Sequence, residues 1–275
     1  MQLERILANV REKSPLVHCI TNYVTVNDVA NILLACGASP VMADEEEDAQ
    51  DIVAIADGLV INIGTLNRRT INSMGQAGKR ANELKRPVVL DPVGAGASNL
   101  RTKTTFQLLE EIRFAVIRGN ISEIKTIAQG AGSTRGVDAD LKDAITEKNL
   151  ERIVPWVKEL SNRLGAIIAI TGAIDVVADP QVAYVIRNGH PLMSRITGTG
   201  CMLTALIGAF VAANPDETLR ATATAVAAMG LCGELAYQMT VRHGTGTGSF
   251  RTYLIDTMSQ LDGKTLRGGV RVETR

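Results

Sequence analysis

Short apolar runs rich in valine and isoleucine alternate with helix-length amphipathic stretches along most of this 275-residue chain, which predicts an α/β fold with a central, mostly parallel sheet and helices on both faces. Two observations carry the expectation. The runs are apolar at consecutive positions, as in strands covered on both sides. The intervals between most of them have the length and periodicity of helices. No internal repeat, low-complexity tract or Pro/Ser-rich linker interrupts the pattern, so residues 1–275 read as a single domain.

In chain order, the strand runs are Pro15–Ile20, Ser39–Met42, Leu59–Ile63, Pro87–Leu90, Ala115–Ile117 and Ala166–Ile170. The helical stretches among them are Val26–Ala35, Glu47–Ala56, Thr70–Leu84 and Leu150–Leu164. Val176–Ala178 and Val182–Ile186, separated by Asp179-Pro180-Gln181, read as a hairpin. Cys201–Ala213 and Leu219–Tyr237 are rich in alanine and nearly uncharged, so both should be helices packed deep in the protein.

The charge balance excludes several classes of function. Twenty-nine Lys+Arg offset 29 Asp+Glu without a basic cluster, and aromatic residues make up only 3%. That argues against nucleic-acid binding, which needs a cationic footprint or a stacking platform. Residues 196–215 carry no charge until Pro215, but Thr197-Gly198-Thr199-Gly200 is a polar turn and the apolar remainder is too short to cross a bilayer. The chain start is charged from Glu4 onward and lacks the apolar core of a signal peptide, so a cytoplasmic protein is expected. Cys19, Cys36, Cys201 and Cys232 have no metal-ligand spacing and should be free thiols.

Ligands of open α/β sheets bind beyond the carboxyl ends of the strands. Three predicted strands end in polar residues followed by glycine or proline turns: Asp91-Pro92-Val93-Gly94-Ala95-Gly96, Arg118-Gly119-Asn120, and Thr171-Gly172. The segment Thr197-Gly198-Thr199-Gly200-Cys201 opens a buried helix. The backbone amides of Thr199, Gly200 and Cys201 should therefore point out of a helix N-terminus and form an anion hole suited to a phosphoryl group. The Cys201 thiol lies in that first turn, where a lowered pKa is expected. Asp91, Asn120 and Glu123 supply oxygen ligands of the kind magnesium takes. Neither the Walker P-loop nor the protein-kinase motif set is present.

The GTGC helix start, the Asn120-x-x-Glu123 spacing, DPVGAGA at 91–97, SPLVHCITNYVTVN at 14–27 and GASPVMA at 37–43 together resemble the hydroxyethylthiazole kinase family of the ribokinase-like superfamily. AITGAIDVVAD at 169–179 and RNG at 187–189 extend the resemblance from about Ser14 to Phe250. It implies a ribokinase-like fold and transfer of the ATP γ-phosphoryl group, with Mg²⁺, to the primary alcohol of 4-methyl-5-(2-hydroxyethyl)thiazole. By motif, Met42, Asn22 and Gly198 would bind the thiazole substrate, Arg118 and Thr171 would hold ATP, and Asp91 and Glu123 would serve the metal. A homotrimer with thiazole sites at subunit interfaces is also implied. The wider superfamily has aspartate where Cys201 stands, so Cys201 is expected to act as a weak base or orienting group without forming a phosphoenzyme.

Other marked residues have plainer readings. Cys19, Cys36 and Cys232 should be small core residues, and His18 a hydrogen-bonded structural one. His190 and His243 read as turn residues, and the run Asp44–Asp48 as a solvated helix start. The glycine-rich stretch 243–250 reads as a connector capped by Ser249, Asp175 and Asp179 as turn and surface groups, and Trp156 as a helix anchor. Two alternatives share the fold: an ATP-dependent dehydratase of hydrated nicotinamide cofactors, which Cys201 disfavours, and an idle ligand-binding protein. A pyrimidine-alcohol kinase is the nearest rival among kinases, and SPLVHCITN speaks against it.

Overall fold

The computed structural model describes residues 2–130 and 144–275. Its elements run α1 (Leu3–Lys13), β1 (Leu16–Ile20), α2 (Val26–Cys36), β2 (Ser39–Val41), α3 (Glu46–Ile55), β3 (Gly58–Asn62), α4 (Arg68–Glu83), β4 (Val88–Asp91), α5 (Asn99–Glu111), β5 (Val116–Asn120) and α6 (Ile121–Gly130). They continue with α7 (Leu150–Leu164), β6 (Ile167–Thr171), β7 (Asp175–Ala178), β8 (Ala183–Ile186), α8 (Thr199–Ala213), α9 (Thr218–Arg242), α10 (Thr247–Gln260), α11 (Gly263–Gly269) and β9 (Val272–Thr274).

Among the described residues the strands form one nine-stranded sheet in the order β2-β1-β3-β4-β5-β6-β7-β8-β9. Pairings from β2 through β6 are parallel, and those from β6 through β9 are antiparallel. The expected hairpin is β7–β8, with Asp179 Oδ1 accepting from the Gln181 and Val182 amides at its turn. Consecutive strand residues feed two separate cores. Val17, Cys19, Val60 and Val89 pack with α1, α2, α8, α9 and α10. Ile20, Leu59, Ile61 and Leu90 pack with α3, α4, α6 and α7 on the opposite face. Both faces are thus dry, which is why these strands lack polar alternation.

The chain leaves β1 toward β2 on one side and returns to β3 on the other. That reversal opens a crevice beyond the carboxyl ends of β1 and β3, the usual place for a ligand in an open α/β sheet. Helix α8 is buried along nearly its whole length and packs beneath β1, β3 and β4, so its N-terminus is brought to this edge. Among the described residues, no helix is long and apolar enough to cross a membrane.

The plainer expectations fare unevenly. Cys19, Cys36 and Cys232 are buried, and burial pushes the Cys19 and Cys232 thiols up to about 12. His18 is buried with Nε2 2.7 Å from the Ala43 carbonyl oxygen, and burial lowers its pKa. Trp156 packs half-buried on the α7 side. Asp44 and Glu45 pair with Arg69 in solvent just before α3. Ser249, however, lies inside α10, whose N-cap is Gly246 with no side-chain cap.

Candidate active site

Polar residues at the ends of β3 and β4 build a connected network. Asn62 Nδ2 donates to Asp91 Oδ2 at 2.8 Å, and Thr204 Oγ1, one turn into α8, donates to the same oxygen at 2.8 Å. Asn22 Nδ2, beyond β1, donates to Asn62 Oδ1 at 3.0 Å and to Cys201 Sγ at 3.2 Å. Asn62 Nδ2 lies 3.4 Å from the same sulfur. Asn22, Cys201 and Asp91, far apart in sequence, thus meet through Asn62 and Thr204. Asn62 ends its strand as Asp91 does, and the same strand-end signal applies to it. Thr204 carries no sequence signal, because only the docking of α8 selects it.

Helix α8 begins at Gly198, whose φ of +88° is a left-handed conformation natural to glycine. A Cβ there would approach Thr25 Cγ2 to 2.7 Å, so residue 198 must also be small. The first intrahelical bond runs from the Met202 amide to the Gly198 carbonyl. The amides of Thr199, Gly200 and Cys201 therefore have no helical acceptor, and Gly198 offers no capping side chain. Arg118 covers this turn: a Cβ on Gly200 would come within 2.5 Å of Arg118 Nη1. Arg118 Nη2 donates to Thr171 Oγ1 at 2.5 Å, and Nη1 lies 3.6 Å from Asp91 Oδ1.

The Cys201 thiol departs from expectation. Burial first, and the neighbouring Asp91 carboxylate second, push its pKa up, against hydrogen bonds from Thr25, Asn22 and Asn62 that pull it down. The lowering expected of a helix N-terminus is overridden because the turn is desolvated and faces a carboxylate.

Glu123 and Asn120 form a capping box on α6. The Glu123 amide donates to Asn120 Oδ1 at 2.9 Å, and the Asn120 amide donates to Glu123 Oε2 at 2.8 Å. Glu123 Oε1 also accepts from the Gly94 amide at 2.8 Å, tying the DPVGAG turn to β5. The Asn-x-x-Glu spacing thus has a structural use.

Two cavities flank the network. One, of about 520 Å³, lies over β5 and β6 and is lined by Arg118, Thr171, Thr199 and Gly200 at one end and by His190, Met193 and Met229 elsewhere. His190 caps a 3₁₀ turn, as a turn residue should, and also stacks on Tyr237 with ring centroids 3.6 Å apart. The second cavity, of about 220 Å³, lies over β1 and β2 and is lined by Cys19, Thr21, Tyr23, Met42, Thr70 and Met74. In strand order, Asn62 and Asp91 on β3 and β4 stand between the two.

Asp175 is a correction to the sequence reading. It is only 8% exposed and lines the larger cavity, and burial pushes its carboxyl up to about 7. A carboxyl raised on folding adds stability that is complete below its unfolded value, near 4, and lost as the pH climbs to about 7. Relative to the wild type, Asp175→Asn is expected to gain melting temperature across that interval. Thermal melts at about pH 5 and pH 8 check this, and equal differences at both would contradict it.

The sequence model of the hydroxyethylthiazole kinase family matches residues 7–264. The chain is 56% identical over 272 residues to a hydroxyethylthiazole kinase of Clostridium acetobutylicum, covering 99% of both chains. It is 52% identical over 268 residues to one of Desulfovibrio desulfuricans, covering 95% of this chain and 94% of the other. The structure of hydroxyethylthiazole kinase from Pyrococcus horikoshii OT3 superposes with a TM-score of 0.89 at 38% identity, covering 99% of this chain and 98% of that one. A ribokinase-like superfamily protein of Enterococcus faecalis superposes with a TM-score of 0.62 at 15% identity over 92% of this chain and 88% of its own, a likeness of fold alone.

Proposed function

This chain belongs to the hydroxyethylthiazole kinase family, and from that premise we propose how its residues divide the labour of phosphoryl transfer. The chain is a phosphotransferase of ribokinase-like fold. Its reaction moves the γ-phosphoryl group of ATP to the primary alcohol of hydroxyethylthiazole, a step in thiamine biosynthesis. Residues 1–275 act as one kinase domain. The observation that carries the site assignment is the position of the Asn22–Asn62–Asp91–Cys201 network between two cavities, with three free helix amides beside it.

The larger cavity takes ATP. Arg118 and Thr171 hold the phosphates, and the amides of Thr199, Gly200 and Cys201 receive the charge that accumulates on the group in transit. The smaller cavity takes the thiazole against Met42, and Asn22 and Gly198 position its alcohol. Cys201, with its raised pKa, orients the alcohol and is at most a weak base; no phosphoenzyme forms.

Magnesium fits the two carboxylates. Asp91 Oδ1 is buried with no hydrogen-bond partner among the described residues, and the nearby Glu123 charge opposes Asp91 ionisation, a repulsion that a divalent cation relieves. Among the described residues, no three His, Cys, Asp or Glu side chains cluster tightly enough to cage a metal. Phosphate oxygens and water would complete the shell, as magnesium prefers. When bound, the ion neutralises phosphate charge.

Two variants separate the roles of Cys201. Cys201→Ala should lower turnover by less than about a hundredfold, the lower end of what a true general base contributes. Cys201→Asp should preserve or raise it. Steady-state rates decide: unchanged turnover in the alanine variant removes any role for the thiol, and a dead aspartate variant rejects the equivalence of the two side chains.

The protein works as a homotrimer with the thiazole cavity at the subunit interface. Tyr23 and Val24, at 78% and 57% exposure, are large apolar side chains beside that cavity, which a partner subunit would cover. Light scattering should give about three times the chain mass of 29.4 kDa. Val24→Asp should break the trimer and raise the KM for the thiazole while leaving that for ATP unchanged; a monomeric wild type would refute the assembly.

The reaction itself is tested by ADP release from Mg-ATP, with hydroxyethylthiazole and the hydroxymethylpyrimidine offered separately. Thiazole-dependent ADP is expected, and turnover with the pyrimidine alone would overturn the substrate assignment.

A further inference from the structure

Asp175 is a buried ionisable group that the transfer chemistry leaves unused. It is the first residue of β7, and the Gly172 turn joins it directly to Thr171. Its Oδ1 accepts the Gly172 amide at 2.8 Å, while Oδ2 has no hydrogen-bond partner among the described residues. The residue is 8% exposed and forms part of the wall of the larger cavity. Oδ2 stays accessible at that wall, where a bound ligand with hydrogen-bond donors would meet it in place of water.

The cavity's own polarity says what that donor is. Arg118, Thr171 and the free amides of α8 make one end cationic and rich in donors, which suits the phosphates. His190, Met193, Val226 and Met229 offer flat and apolar surface elsewhere, which suits a base. Asp175 adjoins the phosphate end, yet in its ionised form, which prevails above about pH 7, the carboxylate repels phosphate oxygens. Its partner must therefore be the part of a nucleotide next to the phosphates that carries hydrogen-bond donors, and the sugar diol meets both conditions. Carboxylates bind ribose hydroxyls in other nucleotide folds by the same chemistry.

We infer that Asp175 reads the ribose of the nucleotide, its free oxygen accepting from the sugar hydroxyls so that the site favours ribonucleotides over deoxynucleotides. The inference rests on the assignment of the larger cavity to ATP. Asp175 is a specificity-determining residue and touches neither the transferred phosphoryl group nor the alcohol.

Calorimetric titration of the full-length protein with Mg-ATP, Mg-2′-deoxy-ATP and Mg-3′-deoxy-ATP tests it. In the wild type, at least one deoxy nucleotide should bind about tenfold more weakly or worse, the usual effect of losing a hydrogen bond to a charged group. In Asp175→Asn, ATP affinity should fall by about tenfold while that of the disfavoured deoxy nucleotide changes little, so the ratio collapses toward one. Equal binding of all three nucleotides by the wild type, which needs no variant to fold, overturns the inference and leaves the ATP assignment standing. An Asp175→Asn variant that keeps the wild-type ratio also overturns it. Failure of ATP itself to bind would reject the cavity assignment, and the ribose inference with it.

Discussion

Gly200→Ala should reduce turnover by about 10²- to 10³-fold, the usual cost of disabling one element of a preorganised anion site, while leaving the melting temperature unchanged. The added methyl would sit 2.5 Å from Arg118 Nη1, 2.9 Å from Nη2 and 3.1 Å from Cζ. These are the mobile tip of a long side chain, so the guanidinium swings away and the backbone stays in place. Alanine also suits a helix better than glycine does, which offsets any strain. What the swing destroys is function. Arg118 leaves Thr171 and the amides of Thr199, Gly200 and Cys201, and the charge set proposed to hold the phosphates comes apart. Both a raised KM for ATP and a lowered kcat should appear, with circular dichroism melts superimposable on those of the wild type. A fully active Gly200→Ala enzyme would show that Arg118 does not work from above this turn.

Asp91→Asn should cost about 10³-fold in turnover, several kcal/mol of lost charge stabilisation in the transition state, again without a loss of fold. Asp91 is fully buried, and burial is the largest influence on its carboxyl, raising its pKa against the opposing pull of Arg118 and the hydrogen bonds from Thr204 and Asn62. In the metal-free protein the site therefore disfavours the ionised form. A neutral amide of the same shape removes that cost and retains an oxygen for Thr204 and Asn62. Thermal melts in chelator should place the variant at or above the wild type, while activity collapses. A variant that melts well below the wild type and loses activity in proportion would make Asp91 a structural residue.

Much of this architecture is written locally in the chain. Strands β1 and β3 to β6 are apolar at successive positions because both faces of the sheet are covered, and polar residues at their ends mark where the cover stops. β9 escapes that signal, because Val272–Thr274 is a three-residue edge strand, never fully buried, and is defined only by its pairing with β8. Helix α5 is equally quiet, with only Thr104, Thr105 and Leu108 buried along it. Helix α1 does carry the i, i+3, i+4, i+7 pattern, as Leu3, Ile6, Leu7 and Val10, beneath a conspicuous surface charge.

The site divides along the same line. Asp91, Thr171 and the GTGC turn stand out because each ends a strand or begins a helix, the places where a ligand meets backbone, while Arg118 stands out as a charge that breaks the apolar run of β5 before its end. What local sequence lacks is burial. A thiol in the first turn of a helix should be acidified by the dipole, but burial of Cys201 first, and the Asp91 carboxylate from another strand second, push its pKa up instead. Asp175 follows a glycine turn and resembles a surface residue in sequence, until the cavity wall closes over it. The Asn120–Glu123 pair serves two ends at once, as a capping box within α6 and as a clamp on the Gly94 turn.

On the proposed assignment, the phosphoryl group crosses the edge of β3 and β4, from a nucleotide over β5 and β6 to an alcohol over β1 and β2. A crystal structure of the ternary complex with hydroxyethylthiazole and a non-hydrolysable Mg-ATP analogue tests it most directly. The γ-phosphoryl group is expected on the amides of Thr199, Gly200 and Cys201, with Arg118 on its oxygens, the thiazole ring against Met42, and its alcohol within hydrogen-bonding distance of Cys201 Sγ. A nucleotide whose γ-phosphoryl group lies away from the α8 turn, or a thiazole bound on the far side of Arg118, would contradict it.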